Sequence, residues 1–447
     1  MKSEKLMDYI GQIDDSIIVE ADVHLAKIKP VKRPWIKWVS VVAVAATCLI
    51  VAVPFILNRT HPNNPIDFSG LPKLTVNTEF GSMGFEGHLA YDVSELQNGN
   101  PWTENNDLTT MPVFTHPNEY DRAGAPVNGL SPEEMLAEAE KIANLFGLEI
   151  TSLYTEPTLE QIEQIKQKLE VVDASEEEVH QNTSVYRAIA ECSGAEIEVQ
   201  KDGHILLTLT PETADLAKEI EKLSVYDSFT ISFEYGYKTI GDTMYCIGFP
   251  LPDGYSFTFG NISNEHAMEI MQYLFSEYGA FTEITTPGYD LAADYTYNGV
   301  LTRLNTFVFE NAGSLTERIL NYHFNRLYFI ATDLGGLGGI RYSKTDLSQK
   351  IGDYPIITAE EARKLLLENH YITTVPEALP GEEYIAHVEL MYRTSGRDSG
   401  FMPYYKFLVE MPTMERENGL KTFGAFYVPA VQSEFLENMP LWDGNFN

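Results

Sequence analysis

Cysteine is nearly absent from this 447-residue chain, which carries only Cys48, Cys192 and Cys246. So sparse a set excludes a disulfide-stapled scaffold. Cys192 and Cys246 are candidates for one bridge if their part of the chain lies in an oxidising compartment. Neither has a histidine near it in sequence to act as a base, so a thiol nucleophile is unsupported. The ten histidines are scattered, the closest pair being His370 and His387, which leaves no local zinc motif. His116–Glu119 and His266–Glu269 have helix-like spacing, but each lacks the second histidine of a zincin. They read as a surface loop and a helix face. There is no G-x-S-x-G elbow and no phosphate-binding G-x-x-x-x-G-K-[ST] loop. "LGGLGGIR" at 334–341 has Arg341 where a dinucleotide fingerprint needs its last glycine, and it reads as a turn in which glycine supplies positive φ. Acid pairs such as Glu360–Glu361 are too common in this chain to mark a glycosidase. These absences predict a protein that is not an enzyme and has neither cofactor nor metal.

Basic residues are the other scarcity: 31 Lys and Arg stand against 65 Asp and Glu, a net charge of −34. The imbalance is regional. Residues 1–59 hold eight bases and six acids, so everything beyond carries a net −36. Such a body repels nucleic acid, which is bound by neutralising phosphates with Lys and Arg.

What is present begins with a membrane signal. Val39–Leu57 is a 19-residue run without a charge, long enough as a helix to cross about 28 Å of hydrocarbon. Trp35 and Trp38 border it where indole rings favour the headgroup layer, and five bases between Lys27 and Lys37 crowd the same side. The positive-inside rule then puts the N-terminus in the cytoplasm and the body outside. Division of the chain follows: a cytoplasmic amphipathic helix at 1–34, a transmembrane anchor at 35–58, a polar stalk at 59–73, and two extracytoplasmic α+β domains at 74–250 and 251–447. In the cytoplasmic segment Leu6, Ile10, Ile13 and Ile17 fall on one helical stripe. So short a helix needs a cover for that stripe: the membrane surface and self-pairing in a dimer are alternatives, and a cytoplasmic partner's groove is the preferred one.

In the body the helix starts are legible as capping motifs, in which a Ser or Thr and a Glu or Gln three residues on satisfy each other's backbone donors. "SPEE" at Ser131, "TLEQ" at Thr158, "SLTE" at Ser314 and "TAEE" at Thr358 are boxes, and "SNEH" at Ser263 is a cap without one. Strands are clearest at the C-terminus. In "EYIAHVELMYR" Ala386, Val388, Leu390 and Tyr392 alternate with His387, Glu389 and Arg393, and in "YYKFLVEM" Tyr405, Phe407, Val409 and Met411 share a face. "KTFGAFYVP" follows an Asn-Gly turn. From about residue 354 this predicts a helix and then three antiparallel strands. Earlier helices at Ser131 and Ser263 precede looser versions of the same pattern, the first with an Asp-Gly hairpin turn. The expected fold class is α+β, a single transmembrane helix followed by two or three helix-on-antiparallel-sheet modules.

The stretches "GSMGFEGHLAYDVSELQNGNPW", "LTTMPVFTHPNEYDRAGAPVNGLSPEEM", "YPIITAEEARKLLL" and "MPYYKFLVEMP" resemble a group of uncharacterised single-pass membrane-anchored proteins of Gram-positive bacteria. The C-terminal third is similar in outline to PepSY-type domains and to the outer domains of YycH/YycI-type kinase regulators. "IGQIDDSIIVEAD" before a basic, Trp-flanked anchor resembles the start of anti-sigma-factor-like membrane proteins, without their cytoplasmic zinc cluster. The resemblance implies a non-catalytic transmembrane regulator whose cytoplasmic helix holds a sigma factor or kinase while the outer body senses or docks. The alternative is an extracytoplasmic PepSY-like modulator or cell-wall-binding protein with no cytoplasmic role.

Overall fold

Five helix starts anticipated from Ser or Thr caps all form, and the reciprocal bonds explain why they begin where they do. In the computed structural model Ser131 and Glu134 close a box ahead of a proline in the first turn, with Gly147 at φ 67° ending that helix. Thr158 and Gln161 exchange the same pair of bonds, as do Ser314 with Glu317 and Thr358 with Glu361. Ser263 caps without a box.

The structure describes residues 68–444, except 79–88, 92–97, 119, 121–125, 172–185, 258–261, 292–293, 296–300, 303–304, 395–397, 399 and 415–419. The apolar run at 39–57, Trp35 and Trp38, and the stripe of Leu6, Ile10, Ile13 and Ile17 lie outside the described residues. Among the described residues no helix is long and apolar enough to cross a membrane.

Two strands come first, β1 (Leu89–Tyr91) and β2 (Thr110–Thr115). A first run then holds α1 (Pro132–Phe146), β3 (Ile150–Glu156), α2 (Leu159–Val171), β4 (Arg187–Cys192), β5 (Ala195–Gln200), β6 (Ile205–Leu209), a 3-10 stretch (Ala214–Leu223) and β7 (Ser228–Phe233). The hairpin of β8 (Tyr237–Ile240) and β9 (Thr243–Cys246) leads to a second run. That run holds α3 (Asn264–Tyr278), β10 (Pro287–Asp290), the short β11 (Asp294–Tyr295) and β12 (Leu301–Thr302), β13 (Asn305–Glu310), α4 (Leu315–Phe324), β14 (Asn325–Ala331), β15 (Leu337–Lys344) and β16 (Lys350–Pro355). The third consists of α5 (Ala359–Leu367), β17 (Ile372–Thr373), β18 (Ile385–Tyr392), β19 (Gly400–Phe401), β20 (Pro403–Glu410) and β21 (Lys421–Pro429). The fold is mixed, helices and largely antiparallel sheets, as an α+β class requires.

The first two runs merge into one nine-stranded sheet, ordered β10-β13-β14-β15-β7-β6-β5-β4-β3. Strands from both sides of residue 250 share it, so the division expected there does not separate sheets. The two runs join where β7 pairs β15 antiparallel; the one parallel pair of that sheet is β6 with β7, and the 3-10 stretch supplies the crossover that a parallel pair demands. Leu207, Leu209, Ile231, Phe329 and Ile340 point to one side of the sheet and are buried in a single core with Met135 and Ile142 of α1, Leu223 of the 3-10 stretch and Ile270 and Leu274 of α3.

The third run forms a sheet ordered β1-β21-β20-β18, with β17 also pairing β21. Tyr405, Phe407, Val409 and Met411 share a core with Ala362 and Leu366 of α5, which is the helix-on-sheet packing expected from residue 354. Two expectations need correction. Ala386 is exposed rather than on the buried face, because the β18–β20 register slips between Ile385 and His387. Glu389 and Arg393, expected on the solvent side, are buried, because Tyr404, Leu408, Ala425 and Tyr427 make a second core with Leu74, Val76, Val113, Tyr354 and Leu436 on the other face.

Candidate functional site

The central strands of the nine-stranded sheet, β6 and β7, alternate in burial, and the sheet's second face carries most of its polar side chains. Side-chain period two puts every other residue of each strand there, and register partners trace one row across all nine strands: Tyr154, Ile189, Glu198, Leu206, Thr230, Arg341, Tyr328, Phe307 and Asp290. A neighbouring row runs Ser152, Glu191, Glu196, Thr208, Ser232, Gly339 and Ile330. From β5 to β15 most of these residues are half-buried or exposed.

One end of this face is capped. Helix α4 lies over β13 and β14, its Tyr322 ring 5.3 Å from Phe307 and 5.2 Å from Phe309. The helix's other side gives Ile319 and Phe324 to the C-terminal core, so α4 is clasped between the two sheets. The join is polar as well as apolar. Tyr322 donates to Asp290 at 2.6 Å, Gly99 N–H donates to the same carboxylate at 3.0 Å, and Asn98 donates to Glu389 at 2.8 Å. Burial, and then the Asp290 charge, raise the Tyr322 phenol well above its ordinary pKa. His323 beside it is half-buried, its Nε2 buried and lacking a hydrogen bond, and burial, with Arg326 next, holds its pKa well below the usual value.

From this clasp a chain of contacts reaches the half-exposed part of the face. Arg326 donates through Nε to the Tyr322 carbonyl and through Nη1 to the Tyr328 hydroxyl at 2.8 Å. The Tyr328 ring, so held, carries the Arg341 guanidinium 4.1 Å from its centroid, a cation–π contact. Arg341 has no hydrogen bond or ion pair among the described residues. Next to it His204 bridges two hydroxyls, Nδ1 2.7 Å from Ser228 Oγ and Nε2 3.1 Å from Thr230 Oγ1. Burial holds this imidazole below its ordinary pKa, Asp202 opposes that, and Arg341 adds to the fall. A neutral ring between two hydroxyls accepts from one and donates to the other. The 2.7 Å contact is within nucleophile–base reach, but both ring nitrogens are engaged by hydroxyls, and the ladder amides around them are bonded within the sheet.

The opposite end of the face is acidic. Arg187 binds Glu156 and Glu198, and Glu191 accepts from Tyr154 at 3.0 Å. Glu196 is exposed, has no hydrogen bond or ion pair among the described residues, and has its pKa raised by burial and then by Glu198 and Glu191. A cleft of about 350 Å³ lies elsewhere, lined by Asp227, Glu283, Phe324, Lys344 and Leu347 among others. Its lysine is already paired with Glu283 at 2.8 Å.

The candidates named from sequence fare unevenly. Cys192 and Cys246 are both free thiols. Cys192 ends a strand of the large sheet, pairing Ala195, whereas Cys246 belongs to the separate β8–β9 hairpin, so no bridge joins them. His266 faces Glu269 at 3.6 Å along α3, a helix-face pair as expected. The glycine turn forms, with Gly335 at φ 78°. Among the described residues no group of three or more His, Cys, Asp or Glu is placed to hold a metal ion. Sequence reasoning singled out Arg341 only as a misfit in a glycine motif and missed the polar face altogether. The alternation in "HILLTL" and "SFTISF" was the available signal.

No family model matches the chain, no curated protein does, and no solved structure does.

Proposed function

We propose that the chain is a non-catalytic, single-pass membrane-anchored docking and regulatory protein. Its N-terminal helix faces the cytoplasm, the run at 39–57 anchors it, and the helix-covered nine-stranded sheet together with the PepSY-like C-terminal unit forms an extracytoplasmic body. The observation that carries the docking half is the half-exposed polar face, which bears Arg341 and Glu196 with no partner of opposite charge among the described residues. An ordinary solvated face in a chain this acidic would have spent so rare a cation on one of its many carboxylates. The cytoplasmic half rests on the stripe of Leu6, Ile10, Ile13 and Ile17, which requires a cover.

Capture experiments test the two halves separately. Residues 1–34 used as bait are expected to recover one cytoplasmic protein, a sigma factor or kinase. Recovery of nothing by that bait, with partners found only through the full-length chain, favours an extracytoplasmic modulator or wall-binding protein instead. Protease added to intact, wall-stripped cells is expected to digest the body, and full protection of the body overturns the topology.

A further inference from the structure

The polar face sets its chemistry on two adjoining rows: Leu206 of β6, Thr230 of β7 and Arg341 of β15 share one, whose own acid Glu198 is paired with Arg187, and Glu196 of β5 stands on the next. Resting on the docking reading above, we infer that this face binds a short zwitterionic peptide in extended form, its terminal carboxylate on Arg341 and its amine on Glu196.

Three observations select that ligand class. Arg341 stands over the Tyr328 ring, 4.1 Å from its centroid, with no hydrogen bond or ion pair among the described residues, and a guanidinium with its donors free suits a planar carboxylate. Glu196 makes no ion pair among the described residues, and burial, then Glu198 and Glu191, raise its pKa against the pull of Arg187, so an ammonium relieves repulsion there. Between them Leu206, Thr230 and Ser232 give a floor that is half apolar and half hydroxyl, suited to a peptide backbone with small side chains. The spacing fits as well. Three strand intervals of about 4.8 Å and an offset of two residues along the strand separate Glu196 from Arg341, about 16 Å in all, the span of an extended chain of roughly four to five residues. The net charge of −34 argues against polyanions such as nucleic acid or a polyphosphate chain, which the body's field repels, whereas a ligand with one charge of each sign suffers no net repulsion. Arg326 acts as a positioning residue here. It holds the Tyr328 hydroxyl and so supports the ring that Arg341 stands over.

Calorimetric titration of the full-length chain in detergent micelles with tetra-alanine tests the inference, since that peptide has only its two terminal charges. Binding is expected for the free peptide. Amidating its C-terminus and the substitution Arg341→Gln should each weaken it about tenfold or more, the worth of a charge-assisted contact. Acetylating its N-terminus and Glu196→Gln should do the same at the other end. Within the variant Arg341→Gln, amidation should have no further effect, a coupling that a merely structural role would not produce. Absence of binding to folded wild-type protein at millimolar peptide overturns the inference, as does wild-type affinity in both variants. Displacement by equimolar acetate overturns it too, by showing an anion site only. If partner capture by the full-length chain persists through any of these failures, the docking reading stands while the peptide assignment falls.

Discussion

The two large sheets solve the same packing problem in opposite ways. In the nine-stranded sheet β6 and β7 read buried, half-buried, buried along their length, one face against helices and the other polar. In the C-terminal sheet β21 is buried at every residue after Lys421, because both faces meet a core. A strand covered on both sides has no solvent-facing row on which to present charge. That assigns the sheets different work: the C-terminal one is a structural block that clasps α4, and the nine-stranded one has a face left over for recognition. The difference also explains why Arg326, at the boundary of the two, is held by three partners while Arg341, two strand positions into the half-exposed part, has only a ring beneath it.

The largest effect that separates the sheets is in the doubly covered one. Phe407 is fully buried between Arg363 of α5 and the strands, and Phe407→Ala should cost about 3–5 kcal/mol through lost transfer energy and the cavity left behind. Urea unfolding of wild type and variant measures it. A loss below about 0.5 kcal/mol, the range of surface changes, would dissolve the distinction between the sheets.

The clasp gives the next effect, and it depends on pH. His323 is neutral and its folded pKa lies well below the ordinary 6.5, so the unfolded chain takes up a proton that the folded one refuses. The stability it contributes is present above pH 6.5 and is lost as pH falls, at up to about 1.4 kcal/mol per pH unit. His204 adds in the same sense. Asp398, raised to about 6 by burial against the pull of Arg393, acts in the opposite sense between about pH 4 and 6, since its proton is held more tightly in the folded state. Both are common to wild type and a His323→Gln variant, so the difference in slope between pH 6.5 and 5 isolates His323. Equal slopes would mean that the ring is hydrated and the clasp looser than its packing indicates.

A capping effect should be smaller and local to the large sheet's helical side. Ser131→Ala removes the acceptor for Glu134 N–H and should cost about 1 kcal/mol, read as a shift in the unfolding midpoint without change in its slope.

How much of this was legible in sequence divides along the same line as the sheets. Caps are local, set by residues three apart, and all five were readable. Hairpin order was readable where Asp202-Gly203 turns β5 into β6. The half-buried alternation of "YYKFLVEM" was read correctly for Phe407 and Val409 but wrongly for the other side, because Tyr404 and Leu408 are covered by Leu74 and Val76, residues more than 300 positions away. The apolar second phase was a warning, since a strand with one wet face would place polar residues there. The merger of two runs through β7 and β15 was invisible, as pairing partners more than 100 residues apart leave no local trace. Cys192 and Cys246 failed as a pair for the same reason: spacing says nothing about which sheet each strand joins.

The smallest expected effect sharpens the comparison most, because it is nearly nothing. Thr208 stands on the polar face of β6, half-buried, in the row between Glu196 and Ser232. Its hydroxyl makes no hydrogen bond within the protein among the described residues, so water serves it. Val has the same branched shape and the same strand preference, and a face that is solvated loses no internal bond when the hydroxyl goes. Thr208→Val should therefore move stability by no more than about 0.5 kcal/mol, in either direction, measured by the same urea titration. A gain well above that would indicate that something apolar already covers this face, and the surface assigned to a peptide would then belong to the protein's own packing.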